Sequence, residues 1–113
     1  MHISITDRNK ILNSDLRELC ERRLDFALSR FESSIKNIDL VIVDENGPRG
    51  GVDKACRICI SLYRAGDIVI NEKASDVATC VSGIAERASR AVARAVERSQ
   101  QFDRTKKEVH ETT

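Results

Sequence analysis

Cys56, Ile58, Ile60 and Leu62 occupy every second position of the segment Lys54–Tyr63, with Ala55, Arg57, Cys59 and Ser61 between them. A period of two belongs to a strand with one face in a core and the other outside it. Such a strand needs neighbours for its edges and a second layer for its apolar face. The rest of the chain provides both. HISIT at residues 2–6 alternates with Ile3 and Ile5 on one face, which predicts a short first strand. Ile38–Val43 is β-branched and apolar, a second strand. After the tight-turn signal Ala65-Gly66-Asp67, the segment Asp67–Asn71 predicts a fourth.

Two segments carry helical periodicity instead. Leu16, Leu19, Cys20, Leu24, Ala27, Leu28 and Phe31 form one broad apolar face, with Asn13 or Ser14 as cap and Asp15 and Glu18 in the first turn. Arg23 falls inside this arc, so its stem is expected along the core edge with the guanidinium reaching out. The second helical pattern begins at Ser75 as N-cap, with Asp76 in the first turn, and persists to about Gln101. The remainder, FDRTKKEVHETT, is polar and predicts a flexible tail.

The expected order is β-α-β-β-β-α. A strand-helix-strand start sets the first two strands parallel through a right-handed crossover, and the others pair antiparallel. The fold class is therefore α+β: a two-layer sandwich, with two helices on one face of a four-stranded mixed sheet. Residues 1–101 form one domain, and residues 102–113 are the tail. At 113 residues, 41% hydrophobic and 33% charged, the chain suits a single globular core. No run approaches the ~20 apolar residues of a membrane helix. The alternating N-terminus does not read as a secretory signal, so a cytoplasmic location is expected.

Chemistry-bearing patterns are sparse. The four cysteines include Cys56-Arg57-Ile58-Cys59, a C-x-x-C spelling. It lies in an alternating strand, so its thiols point to opposite faces, and neither histidine adds a ligand-spaced partner. Reduced, structural cysteines are expected, with no metal and no cofactor. No G-x-S-x-G, H-E-x-x-H or phosphate-binding G-x-G-x-x-G occurs, and Asp44 and Glu45 lack an evident partner or pocket, so the chain reads as a non-enzyme.

The charges are more informative by position than by sum. The net charge is +1, from 19 basic and 18 acidic side chains. Residues 1–53 carry 8 basic against 10 acidic groups, and residues 54–113 carry 11 against 8. On a wheel of about 100° per residue, Arg87, Arg90, Arg94 and Arg98 share an arc of roughly 80°. The apolar positions Val77, Val81, Ile84, Ala85, Ala88, Val92, Ala95 and Val96 centre about 120° away, which leaves the stripe outside. Gly83 and Asp76 continue the same line, and Gly83 would let a backbone approach closely. Stacked like charges repel, and guanidinium forks suit phosphate oxygens, so the stripe is a candidate grip on an RNA backbone. The glycine-rich segment 47–54, with Arg49 and Lys54, is a second candidate phosphate contact. It is not a Walker loop, since neither Ser nor Thr follows Lys54 and no helix starts there.

These residues resemble the ribosome hibernation promoting factor and ribosome-associated inhibitor family over about residues 2–100. HISIT resembles its first strand; Leu16-Arg17-Glu18-Leu19, with Arg23 and Leu24, its first helix; and DVATCVSGIAERASRAVAR, from Asp76 to Arg94, its second helix. GPRGGVDKACRI resembles a loop and strand of some short members. Ala78 departs from the pattern, standing where the family usually has an aromatic. The resemblance implies the β-α-β-β-β-α fold and binding to small-subunit ribosomal RNA in the messenger and transfer RNA channel. It further implies that translation is blocked by occupancy under stress or in stationary phase. Arg87, Arg90 and Arg94 match basic positions of the family's second helix and Arg23 one of its first; Arg98, Arg49 and Lys54 are added from position alone. The expected partner is the ribosomal small subunit, without membrane or DNA, and the free protein is expected to be a monomer. The alternative is a protein-interaction module that uses the open sheet face, with Arg57, Cys59, Ser61 and Tyr63, and binds no RNA.

Overall fold

The structure is a computed structural model that describes residues 1–45 and 53–111, with side chains described through Gln100. Its elements are β1 (His2–Asp7), α1 (Ser14–Leu28), a 3₁₀ segment (Ser29–Ser34), β2 (Ile35–Asp44), β3 (Lys54–Leu62), β4 (Ile68–Ala74) and α2 (Val77–Glu111). The sheet order is β1-β2-β3-β4, with β1 parallel to β2 and the other two pairs antiparallel. This is the β-α-β-β-β-α sandwich expected from the sequence.

Register explains why the helices share one face. Ile3 lies opposite Ile38 and Ile5 opposite Leu40; across the next pairs, Leu40 meets Ile58, and Ile58 meets Ile70. These side chains point to the same side, where Leu24 and Leu28 of α1 and Val81, Ile84, Ala88 and Val92 of α2 close over them. Full burial of each Leu, Ile or Val among them is worth about 1.5–3 kcal/mol, so this seam holds the two layers together. A step in the β2–β3 pairing between Ile35 and Asn37 lets Ile35 and Ile38 both turn inward despite their odd spacing.

Local polar groups set the element ends. Asn13 Oδ1 accepts from Leu16 N at 2.8 Å and caps α1. The Asp7 carboxylate takes Ile11 N and Leu12 N at 3.1 and 2.8 Å, closing the connection from β1. Lys10 turns that connection through φ 53°, the left-handed region. Asn9 Oδ1 accepts from Asp44 N at 2.9 Å and pins the loop to the end of β2.

Several boundaries differ from the pattern. β2 starts at Ile35 rather than Ile38, and β4 continues to Ala74 rather than Asn71. α1 stops at Leu28, so Phe31 leaves the helix; it lies in the 3₁₀ segment with the Arg30 guanidinium 4.6 Å above its ring. Asp76 rather than Ser75 caps α2, its Oδ1 accepting from Thr79 N at 2.8 Å and its Oδ2 from the Thr79 hydroxyl at 2.9 Å. α2 runs to Glu111, past the end expected near Gln101, because nothing in that stretch is a helix breaker. At 35 residues it is about 52 Å long. Among the described residues, no helix is long and apolar enough to cross a membrane.

Candidate nucleic-acid interface

The path of α2 over the sheet decides what its arginine face can do. Its N-terminal turns lie against β3 and β4, where the single Cys80 thiol proton is shared between Glu72 O, 3.4 Å from Sγ, and Lys54 O, 3.6 Å from it. On the helical wheel, Cys80 shares the line of Arg87, Arg94 and Arg98. That line therefore starts in the core and emerges along the helix. Cys80 is fully buried, Gly83 half-buried, the Arg87 side chain 50% exposed, and Arg94 and Arg98 exposed.

Each arginine reflects its place on this path. Arg87 leans on the edge of β4, donating through Nη1 to Asn71 O at 2.7 Å and to Glu72 Oε2 at 3.2 Å. Arg90 pairs with Glu86 at 3.1 Å, one turn back, with both side chains mostly in solvent. Arg94 and Arg98 form no ion pair among the described residues. Exposed pairs of this kind contribute at most about 1 kcal/mol, so a phosphate can displace their carboxylates. Gly83 lies beside Glu72: a Cβ there would touch the Glu72 carboxylate at 3.4 Å, an ordinary van der Waals contact.

The other expected contacts separate. Arg23 is exposed on α1 and reaches the groove between the helices, opposite Arg90. Arg49 lies outside the described residues. Lys54 is drawn inward: its Nζ sits 3.0 Å from Asp53 Oδ1 and 3.4 Å from Asp44 Oδ1, with its side chain 19% exposed. Hydrogen bonding to Asp53 raises the Lys54 pKa above the usual lysine value, opposed by desolvation and aided by Asp44. Asp53 is fully buried, and its Oδ2 has no hydrogen-bond partner among the described residues. Lys54 thus offsets a buried carboxylate and stands apart from the arginine ridge.

Sequence reasoning passed over three residues beside this face. Arg30 reaches from the 3₁₀ segment to Ser89 Oγ of α2 at 3.2 Å. Arg64 lines a shallow groove with Arg98, beside the β3–β4 turn. Phe26 is 88% exposed on α1, next to Arg23. A usable signal was present for Phe26: an aromatic about 160° from Leu24 on the wheel, with arginines one turn to either side.

The thiols have structural surroundings. Cys56 and Cys59 fall on opposite faces of β3, the first buried toward the helices and the second half-exposed on the open face. A hydrogen bond with Cys80, then burial, raises the Cys56 pKa far above the ordinary thiol value, and burial raises that of Cys20. Among the described residues, no group of three His, Cys, Asp or Glu side chains converges as a metal site would require. The open sheet face carries Asp39, Arg57, Asn71 and Lys73 interspersed with Val41, Val43, Ala55, Cys59 and the exposed Val69, a surface of mixed charged and apolar side chains.

No known protein-family profile matches the chain, and no curated protein matches it in sequence. Solved structures do share its fold. The ribosomal subunit interface protein from Coxiella burnetii superposes with a TM-score of 0.66 at 19% identity, covering 83% of this chain and 96% of that one. The N-terminal domain of Thermus thermophilus Protein Y gives a TM-score of 0.68 at 18% identity, covering 83% and 98%.

Proposed function

We propose that this protein is a ribosome-associated hibernation factor: it binds small-subunit ribosomal RNA in the channel for messenger and transfer RNA, and silences translation by occupancy in the cytoplasm. The observation that carries the reading is the exposed ridge of Arg90, Arg94 and Arg98, continued by half-exposed Arg87, on the outer side of α2. The ridge lies on a fold shared with a ribosomal subunit interface protein. Guanidinium groups along one helix face suit the spacing and charge of a sugar-phosphate backbone, and the arrangement involves no chemical step. A competing protein-interaction reading would use the open sheet face, where Val41, Val43 and Val69 are interrupted by Asp39, Arg57 and Lys73.

The test is co-sedimentation with purified ribosomes, paired with translation in vitro. A variant with Arg87, Arg90 and Arg94 all changed to Glu is expected to lose ribosome pelleting and to leave translation running. Its thermal melt should stay within a few degrees of the parent, because the three side chains make only exposed or half-exposed contacts. Undiminished pelleting by that folded variant would remove the ridge from the function.

A further inference from the structure

Phe26 is the most exposed large apolar side chain described, and nothing in the fold requires it to stand in water. It sits on α1 with Arg22, Arg23 and Arg30 within one helical turn, all exposed. Across from it, α2 contributes Ser89 and Arg90 to a groove of about 380 Å³ between the helices, with Ala27 and Ala85 among its lining. Arg90 belongs to both surfaces, so the arginine ridge leads directly into this groove.

The shape and charge of the groove select an occupant. One aromatic ring and two alanines give too little apolar area for a protein interface, and the rim sets Arg23 and Arg90 against a single acid, Glu86, whose exposed pair with Arg90 a phosphate can displace. A nucleobase matches on each count. It is flat and about the size of one ring face, and it arrives tethered to a phosphate that Arg23 or Arg90 can neutralise. Ser89 Oγ accepts a hydrogen bond from Arg30 and retains its own proton to donate to a base edge.

We infer that the α1–α2 groove is a stacking subsite for one unpaired RNA base, with Phe26 as the platform and Arg23 and Arg90 on the flanking phosphates. This rests on the RNA-binding reading above and adds to it a preference for unpaired over duplex RNA at this point.

The chain has no tryptophan, so Phe26→Trp installs a single reporter at the subsite. This variant is titrated with a short single-stranded RNA and with the same strand in a duplex, while binding is followed separately by anisotropy of end-labelled RNA. Stacking predicts that the single strand quenches the indole strongly and the duplex weakly. Phe26→Ala should lose roughly tenfold in single-strand affinity with an unchanged salt dependence, and Phe26→Tyr should restore it. Binding at full affinity with unchanged indole emission overturns the subsite and leaves the arginine ridge standing. Failure of both RNAs to bind at low salt overturns the subsite whatever the ribosome pelleting shows. An emission shift that follows protein concentration without RNA assigns the groove to a second copy of the chain, and also overturns it.

Discussion

Lys54 shows how a position that looks like a ligand in sequence can be held by carboxylates in space. Beside a glycine-rich loop, a lysine suggests a phosphate contact. In the fold its ammonium lies between Asp44 and Asp53, and Asp53 is fully buried. Removal of the cation leaves a buried carboxylate without compensation, which is far more damaging than loss of a surface pair. Lys54→Met is therefore expected to lower Tm by at least several degrees, while RNA affinity measured well below that Tm keeps its salt dependence. Arg94→Glu should do the reverse, with an unchanged melt and weakened RNA binding. Differential scanning fluorimetry and anisotropy titrations distinguish the two. A Lys54→Met protein with an unchanged melt and a shallower salt slope would return Lys54 to the RNA face.

Helix α2 depends on its first turn, because it starts where the chain leaves β4 with only a short link. Asp76 closes that turn through the amide and the hydroxyl of Thr79. The same hydrogen bonds, the amide first, hold its carboxyl below the ordinary aspartate pKa. A depressed folded-state pKa means that the cap contributes fully above about pH 4 and is lost as acidification carries the pH through the folded value. Asp76→Ala is thus expected to lower Tm by a few degrees at pH 7, with the gap from the parent narrowing toward pH 3. Asp76→Asn, which caps without a charge, should flatten the pH dependence and keep most of the stability at pH 7. Thermal melts across that range decide the matter, and a gap of constant size at every pH would place the effect elsewhere. The helix also shows why Ser75 looked like the cap: Ser and Asp are both good caps, and sequence spacing cannot separate neighbours when either can close the turn.

For the whole molecule, the expected RNA interaction is an electrostatic one carried by a nearly neutral protein. The net charge of +1 means that attraction depends on the local ridge and not on the overall field. If Arg87, Arg90, Arg94 and Arg98 each neutralise one phosphate, a fourfold rise in salt should weaken binding by roughly 100-fold. Loss of any one of them should make the log–log slope shallower by about 0.7–0.9. A flat salt dependence would be incompatible with the ridge as the grip.

Much of this architecture was legible before any coordinates. Period two at Cys56, Ile58, Ile60 and Leu62, and the 3.6-residue period from Val77 to Val96, state which side chains seek the core. Backbone geometry converts those periods into strands and helices with little help from distant residues. Element order then left one economical arrangement of layers. What the periods do not encode is how α2 crosses the sheet. On a wheel, Cys80, Arg87 and Arg94 are equivalent; in the fold, β3 and β4 cover the first, β4 holds the second and solvent receives the third. The inward turn of Lys54 and the groove that sets Phe26 opposite Arg90 arise the same way. A local pattern fixes only the direction in which a side chain leaves its own helix or strand, whereas its surroundings are set by elements distant in sequence, which only packing brings together.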